Sequence, residues 1–438
     1  MQGREDGIGN CRTFRRDFGT AIAGPLFVIF FLVLKMQIIL ATTFPGDIEA
    51  LIHIKAAIDP VTMHPTTCLA SWNFSVDPCD FHSTSEFVCG IECESSIPKH
   101  RRVTHLALDG SGYTGTLSPF IGNLSFLLSL DLSGNAFEGF IPETVGKLNM
   151  LVRMDLSYNN FSGIIPQSIG RLSNLTYLSL SNNALQGSIS ATLNELFNLS
   201  ELILHNNNLS GSIPPLGALQ QLSTLDASNN GLTGQFPSGL PPSLMQLSLR
   251  GNRLGGSLPA SLSSIPPELM VLDLSNNNMT GTVAASLFQL PALQQLNLSR
   301  NQFTAIVVAD DVMSNGIESH LVAVDMSYNR ISGALPNFFG SMGKLSALSL
   351  RYNLFTGAIP LSYASKAKAN ETNSQPLARL FLDGNYLSGH VPSPFFKTSI
   401  HNRISASFIL NCLRSCPSNF SFCQGGQRPK SECRRIGS

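Results

Sequence analysis

The sequence predicts an α/β repeat solenoid, a curved superhelix with a parallel inner sheet and disulfide-bonded caps at both ends. Three observations carry that prediction. A unit of about 24 residues recurs from Leu106 to Leu380. Leucine supplies 61 of 438 residues, while charged residues make up only 13%, against a usual share of about 25%. Eight of the nine cysteines form two clusters far apart in the chain, Cys68, Cys79, Cys89 and Cys93, then Cys412, Cys416, Cys423 and Cys433. Basic and acidic residues balance at 28 each. That balance excludes an overall electrostatic claim on nucleic acid or an anionic membrane. Low charge with 43% hydrophobic residues excludes a disordered chain.

The N-terminal segment, residues 1–43, reads as an address to a membrane. An apolar run, AIAGPLFVIFFLVL, covers residues 21–34, and after Lys35 it continues to Ala41. Arg4, Arg12, Arg15 and Arg16 precede it and hold that end in the cytosol. Small residues Ala41 and Thr43 resemble a signal-peptidase site ahead of Phe44. The alternative is an uncleaved anchor over 21–41 with Lys35 snorkelling. Both readings place residues 44–438 outside the cytosol.

Segments 44–102 and 397–438 read as the N-terminal and the C-terminal, cysteine-containing cap. Their cysteines suit disulfides in an oxidising compartment better than a metal site. Ten N-x-S/T sequons point to the same compartment: Asn73, Asn123, Asn160, Asn174, Asn198, Asn208, Asn278, Asn297, Asn370 and Asn419. Asn160, Asn208 and Asn278 form one column of the repeat, and Asn123, Asn174 and Asn198 another.

Between the caps, residues 103–396 read as twelve repeats. LDLSGNAFEGFIP starts at Leu130, MDLSYNNFSGIIP at Met154 and LSLSNNALQGSIS at Leu178. In each unit the L-x-L pattern predicts a short strand with both apolar residues on one face. A fixed Asn follows: Asn135, Asn159, Asn183, Asn207, Asn230, Asn252, Asn277, Asn301, Asn329, Asn353 and Asn385. A buried Asn amide donates and accepts, so stacked copies are expected to bond neighbouring backbone where the chain leaves the strand. Gly then permits a tight turn, and an I-P or L-P pair sets an extended segment. One unit cannot bury its leucines alone, so neighbours stack and the ends need caps. Spacings of 28 residues (Leu296 to Val324) and 32 residues (Leu348 to Leu380) mark insertions.

The unit L-x-x-L-x-L-x-x-N-x-L-x-G-x-I-P resembles the plant-type leucine-rich repeat. DIEALIHIKAAIDP, SWNFSVDPC and GIEC are similar to that family's N-terminal cap, with Val88 where Trp is usual. The resemblance covers about 48–396. It implies that Cys79 pairs with Cys93, leaving Cys68 with Cys89. Cys412 to Cys433 looks like the C-terminal cap of plant leucine-rich repeat proteins without kinases, the receptor-like proteins. A more distant likeness is to the polygalacturonase inhibitors.

Side chains flanking the strand leucines are expected on the concave face. Asp131, Asp155, Asp226, Asp273 and Asp325 share one place in the repeat and belong to its common LDLS string. Residues off the pattern include Tyr158, Ile203, His205, Arg250 and Arg300, and a C-terminal group of Tyr328, Arg351, Tyr352, Arg379 and Phe381. Tyr and Arg are favoured at binding hot spots, so this group is the candidate partner-contact site. Arg351 and Asp383 share a column on adjacent strands and are placed to pair. Asn297 lies between Leu296 and Leu298, so a glycan there would stand on the concave face.

No constellation predicts catalysis. The nine histidines show no metal spacing, and no nucleophile elbow, phosphate loop or kinase signature occurs. No cofactor is expected. The reading is an extracellular, non-catalytic recognition module, receptor-like or coreceptor-like. Its expected partners are a peptide ligand, a receptor kinase ectodomain or a wall protein. The alternative is a soluble inhibitor of a cell-wall hydrolase such as polygalacturonase.

Overall fold

The computed structural model describes residues 42–80, 87, 89–94, 100–259, 265–308, 319–368, 375–397, 400 and 403–434. The apolar run of the leader, Val88 and the sequon Asn370 lie outside the described residues. Among the described residues no helix is long and apolar enough to cross a membrane.

The L-x-L segments become strands of three residues, because three residues suffice to present one apolar side chain inward and two flanking ones outward. They stack into a sheet of fifteen strands among the described residues, from Thr42–Thr43 at one edge to Ser405–Ser407 at the other. All pairs are parallel except Ile91–Glu94, which runs antiparallel to His100–Ala107. Register aligns Leu106, Leu130, Met154 and Leu178, then Leu202, Leu225 and Leu247, and onward through Leu380. These side chains are almost fully buried, each stabilising the fold by roughly 1.5–3 kcal/mol.

The Asn column turns the chain out of each strand. The Asn159 Oδ1 accepts from the Phe137 N–H of the preceding unit at 2.9 Å. Its Nδ2 donates to the carbonyls of Leu132, Leu156 and Ser157. The same pattern recurs at Asn183, Asn207, Asn230, Asn252, Asn277, Asn301, Asn329, Asn353 and Asn385. After the turn, six short strands from Thr114–Thr116 to Gly231–Thr233 form a second parallel sheet. The third side carries 3-10 turns such as Glu143–Lys147 and Gln167–Arg171. There Gly170 is obligatory, since a Cβ would run into the Thr192 carbonyl of the next turn.

The structure extends the stack beyond the twelve sequence units at both ends. At the C-terminal end Ser405–Ser407 adds a strand, paired with Arg379–Phe381. Asn411 supplies a further rung, accepting from Leu387 N–H and donating to the Leu382 carbonyl, each at 3.0 Å. Ala406 in place of Leu and Phe408 in place of the second Leu conceal this unit in the sequence. At the N-terminal end the folded cap includes Thr42 and Thr43, which the sequence reading assigns to the leader. They pair with His100 and Arg101. Thr43 is buried, its N–H donates to Asp77 Oδ2 at 2.8 Å and its hydroxyl accepts from Cys79 N–H. A chain starting at Phe44 would lose these bonds.

Each cap is stapled. The disulfides are Cys68–Cys89 and Cys79–Cys93 at one end, and Cys412–Cys433 and Cys416–Cys423 at the other. Helix Pro45–Ala56 is tied to the first strands by Asp47, whose carboxylate takes both Arg102 Nε and Nη2 at 2.9 Å and Val103 N–H at 3.0 Å. The Arg102 guanidinium also lies over the rings of Phe44 and Phe126. In the second insertion, helix Leu361–Lys368 takes the place of a 3-10 turn. Its Lys366 is buried, with Nζ bonded to the carbonyls of Gly343 and Gln375, and burial lowers its pKa.

Candidate functional site: the C-terminal concave groove

Three residues per unit reach the concave face, one before each core Leu and one after each of the two. The column between the paired leucines has a structural duty. The Asp131 Oδ1 accepts from the N–H and hydroxyl of Ser133. Asp155, Asp226, Asp273 and Asp325 bond the second-next Ser N–H in the same way, each an Asx turn that closes the strand end. Asn297 takes this role in its own unit, accepting from Ser299 N–H at 3.1 Å and Ser299 Oγ at 2.7 Å. The periodic carboxylates therefore shape backbone. Among the described residues no group of three or more His, Cys, Asp or Glu side chains could hold a metal ion.

The predicted group at the C-terminal end comes together. Tyr328 and Tyr352 stand just past their strands, at φ 55 and φ 52, in the left-handed region. Their rings stack at 4.6 Å with an interplanar angle of 13°. The stack continues on both sides. The Arg300 guanidinium lies over Tyr328 at 4.5 Å, and Gly384 sits so close under Tyr352 that a Cβ would collide with its ring. Arg351 lies between the rings of Tyr352 and Phe381 at 5.5 and 5.4 Å. Its Nη2 and Nε reach Asp383 Oδ2 at 2.7 and 3.1 Å. Burial alone would pull the Arg351 pKa down, but the bond and charge of Asp383 raise it above the ordinary value. Arg351 is thus a fixed cation, held by an Asp with no exposed side-chain area.

Arg300, Tyr328, Arg351, Arg379 and Phe381 line a groove of about 570 Å³ that crosses four strands from Gln295 and Asn297, and Tyr352 stacks on Tyr328 beside it. Arg300 and Arg379 are exposed, and Arg379 has no ion-pair partner among the described residues. Among the described residues the only carboxylate lining the groove is Asp325, which already bonds Ser327 N–H. An aromatic wall and an excess of positive charge thus share one face. Sequence reading placed Arg300 apart from the group. The signal that joins it is its column, the same one as Tyr328 and Tyr352.

The remaining off-pattern residues lie elsewhere. Tyr158 is exposed in the same turn column, six units before Arg300. In the N-terminal half Arg153 pairs with Asp155 at 2.9 Å and covers the Tyr177 ring. His205 faces Asp226 at 3.2 Å, and Ile203 is half-buried beside it. Arg250 borders a second, smaller pocket with Asn276, Asn297, Ser299 and Arg300. Of the sequons, Asn73, Asn123, Asn160, Asn174, Asn198, Asn208, Asn278 and Asn419 are exposed, whereas Asn297 is half-buried.

Residues 95–360 match the family model of a leucine-rich repeat region. Two Arabidopsis thaliana proteins described as receptor-like protein kinases are each 39% identical over 85 residues. That stretch is 19% of this chain and 7% of each kinase, so the chain matches less than a tenth of their length. Among solved structures, the plant peptide hormone receptor RGFR1 in complex with RGF2 is 30% identical, with a TM-score of 0.63 over 71% of this chain and 48% of that one. A TDR receptor is 26% identical, with a TM-score of 0.51 over 72% and 61% of the two chains. A plant ice-binding protein is also 26% identical, with a TM-score of 0.52 over 73% and 90%.

Proposed function

This chain belongs to the plant-type leucine-rich repeat family, and from that premise we propose that it is an extracellular, non-catalytic recognition module whose C-terminal concave groove binds an extended peptide or a peptide-like segment of a partner protein. The observation that carries the reading is the convergence of Tyr328 and Phe381 with Arg300, Arg351 and Arg379 on one groove, with Tyr352 stacked on Tyr328 at its edge. Stacked rings offer rigid apolar area at low entropic cost, and a pinned arginine pays no further ordering penalty on binding. The charge selects a segment carrying carboxylates. Support comes also from the fold neighbour solved with a peptide hormone. Four disulfides fit an oxidising, extracellular compartment. Signalling through a membrane partner is the receptor-like form of this reading; occupation by a wall hydrolase is its inhibitor form.

The test uses peptides selected from a random library on the full chain. A Tyr352→Ala/Phe381→Ala double variant is expected to bind them at least tenfold more weakly, since truncating a hot spot costs about 2 kcal/mol or more. Unchanged affinity in the folded variant would move the binding surface elsewhere.

A further inference from the structure

Asn297 sits on the groove floor in a chemical state unlike its neighbours. Its strand partners in register are Asp273 and Asp325. Like them, it closes an Asx turn through its side-chain oxygen. Its Nδ2, the atom that an aspartate lacks, has only a long 3.4 Å approach to Asp273 Oδ2, and the residue lines both concave pockets. A ladder residue differs sharply. The Nδ2 of Asn301 donates to three carbonyls at 2.9, 3.1 and 3.3 Å, so any substituent there would break buried bonds. At Asn297 a substituent on Nδ2 keeps every strong bond the side chain makes. Asn297-Leu298-Ser299 is also a sequon.

We propose that Asn297 is an N-glycosylation site and that its sugar gates the groove. This rests on the recognition reading above and adds a regulation to it. The Asn297 Nδ2 attacks C1 of the reducing-end sugar of a lipid-diphosphate oligosaccharide. The new N–C1 bond replaces the C1–O bond to diphosphate, and one amide proton leaves with the lipid diphosphate. The transfer precedes folding, so the burial of Ser299 in the folded chain does not oppose it. In the folded chain the Asx turn retains Oδ1, and the first sugar projects from Nδ2 into the groove beside Arg300. An oligosaccharide anchored there excludes a second chain from the arginines, so the unglycosylated fraction is the binding-competent one.

The experiment needs no natural ligand. The full chain is secreted from plant cells, digested and mapped for glycopeptides, with the exposed sequons Asn160 and Asn208 as internal controls. In parallel, phenylglyoxal labels arginines in the native chain, with exposed Arg171 on the 3-10 side as reference. Glycan on Asn297 is expected. Asn297→Asp keeps the Asx turn, and Ser299→Ala keeps the asparagine. Both are expected to lose one glycan mass and to label Arg300 and Arg379 several-fold faster, with Arg171 unchanged. An unmodified Asn297 peptide in a digest where Asn160 or Asn208 is modified would overturn the proposal. So would equal labelling rates with and without the glycan. Failure of the recognition reading shows differently, as no peptide binding by either the glycosylated chain or its variants.

Discussion

At the residue scale, the fold is governed by polar atoms that have one satisfactory arrangement. Asn277 is buried, accepts from Leu254 N–H at 3.0 Å and donates to the Leu249 carbonyl at 2.9 Å. Asn277→Ala leaves the Leu254 N–H without its acceptor, at about 1–3 kcal/mol, while the Leu249 carbonyl keeps the Asn252 Nδ2 at 3.0 Å. The expected outcome is faster hydrogen exchange at Leu254 and its neighbouring units, with distant units unaffected. Asp109 supplies a pH dependence. Burial raises its pKa, but bonds from the Ser111 and Tyr113 hydroxyls outweigh that, and the net shift is downward. A carboxyl whose folded pKa lies below its unfolded value contributes stability above the unfolded pKa. That contribution is lost as pH falls below about 4 and through the folded pKa. Asp109→Asn is therefore expected to flatten the acid limb of stability, measured by melting between neutral and acid pH. The ladder from Asn135 to Asn385 was legible in the sequence, because each Asn meets the same local demand in every unit, whereas the Asn411 rung was hidden by Ala406 and Phe408. The burial of Asp383 was not, because it depends on the C-terminal cap folding over that column.

At the scale of elements, the caps decide whether the stack has ends. Asp47 has no exposed area and Arg102 very little, so removing one partner strands the other. Asp47→Ala is expected to cost about 3–5 kcal/mol, read as early unfolding of the N-terminal cap by hydrogen exchange over residues 42–107. Gly170→Ala forces the Gln167–Arg171 turn away from Thr192 at a cost of about 1–3 kcal/mol. Sequence pattern revealed the caps through cysteine clustering and the D-P-C string. It gave no sign of the bonds made at their edges. Thr43 looks like any small residue before a cleavage site until Asp77 and Cys79 are seen beside it. The unit at Ser405–Asn411 keeps its Asn but not its leucines, so periodicity of Leu passes over it.

At the scale of the whole molecule, a solenoid couples each unit mainly to its neighbours. Stability is local, and binding specificity resides in whichever exposed columns break the repeat. Here the break is concentrated toward the C-terminal end, where Arg and Tyr replace the Ser and Asn of the same columns. The sequence showed those substitutions as a list of departures. Only their stacking, with Arg300 on Tyr328 on Tyr352 and Arg351 pinned to Asp383, makes them one surface. The most direct test of that surface is a hydrogen-exchange footprint of a library-selected peptide on the full chain. Protection is predicted over residues 295–300, 323–328, 347–352 and 379–383, together with slower exchange where these strands turn out of the sheet. A footprint confined to the second sheet, residues 114–233, or to the 3-10 turns would contradict the assignment of recognition to the concave groove.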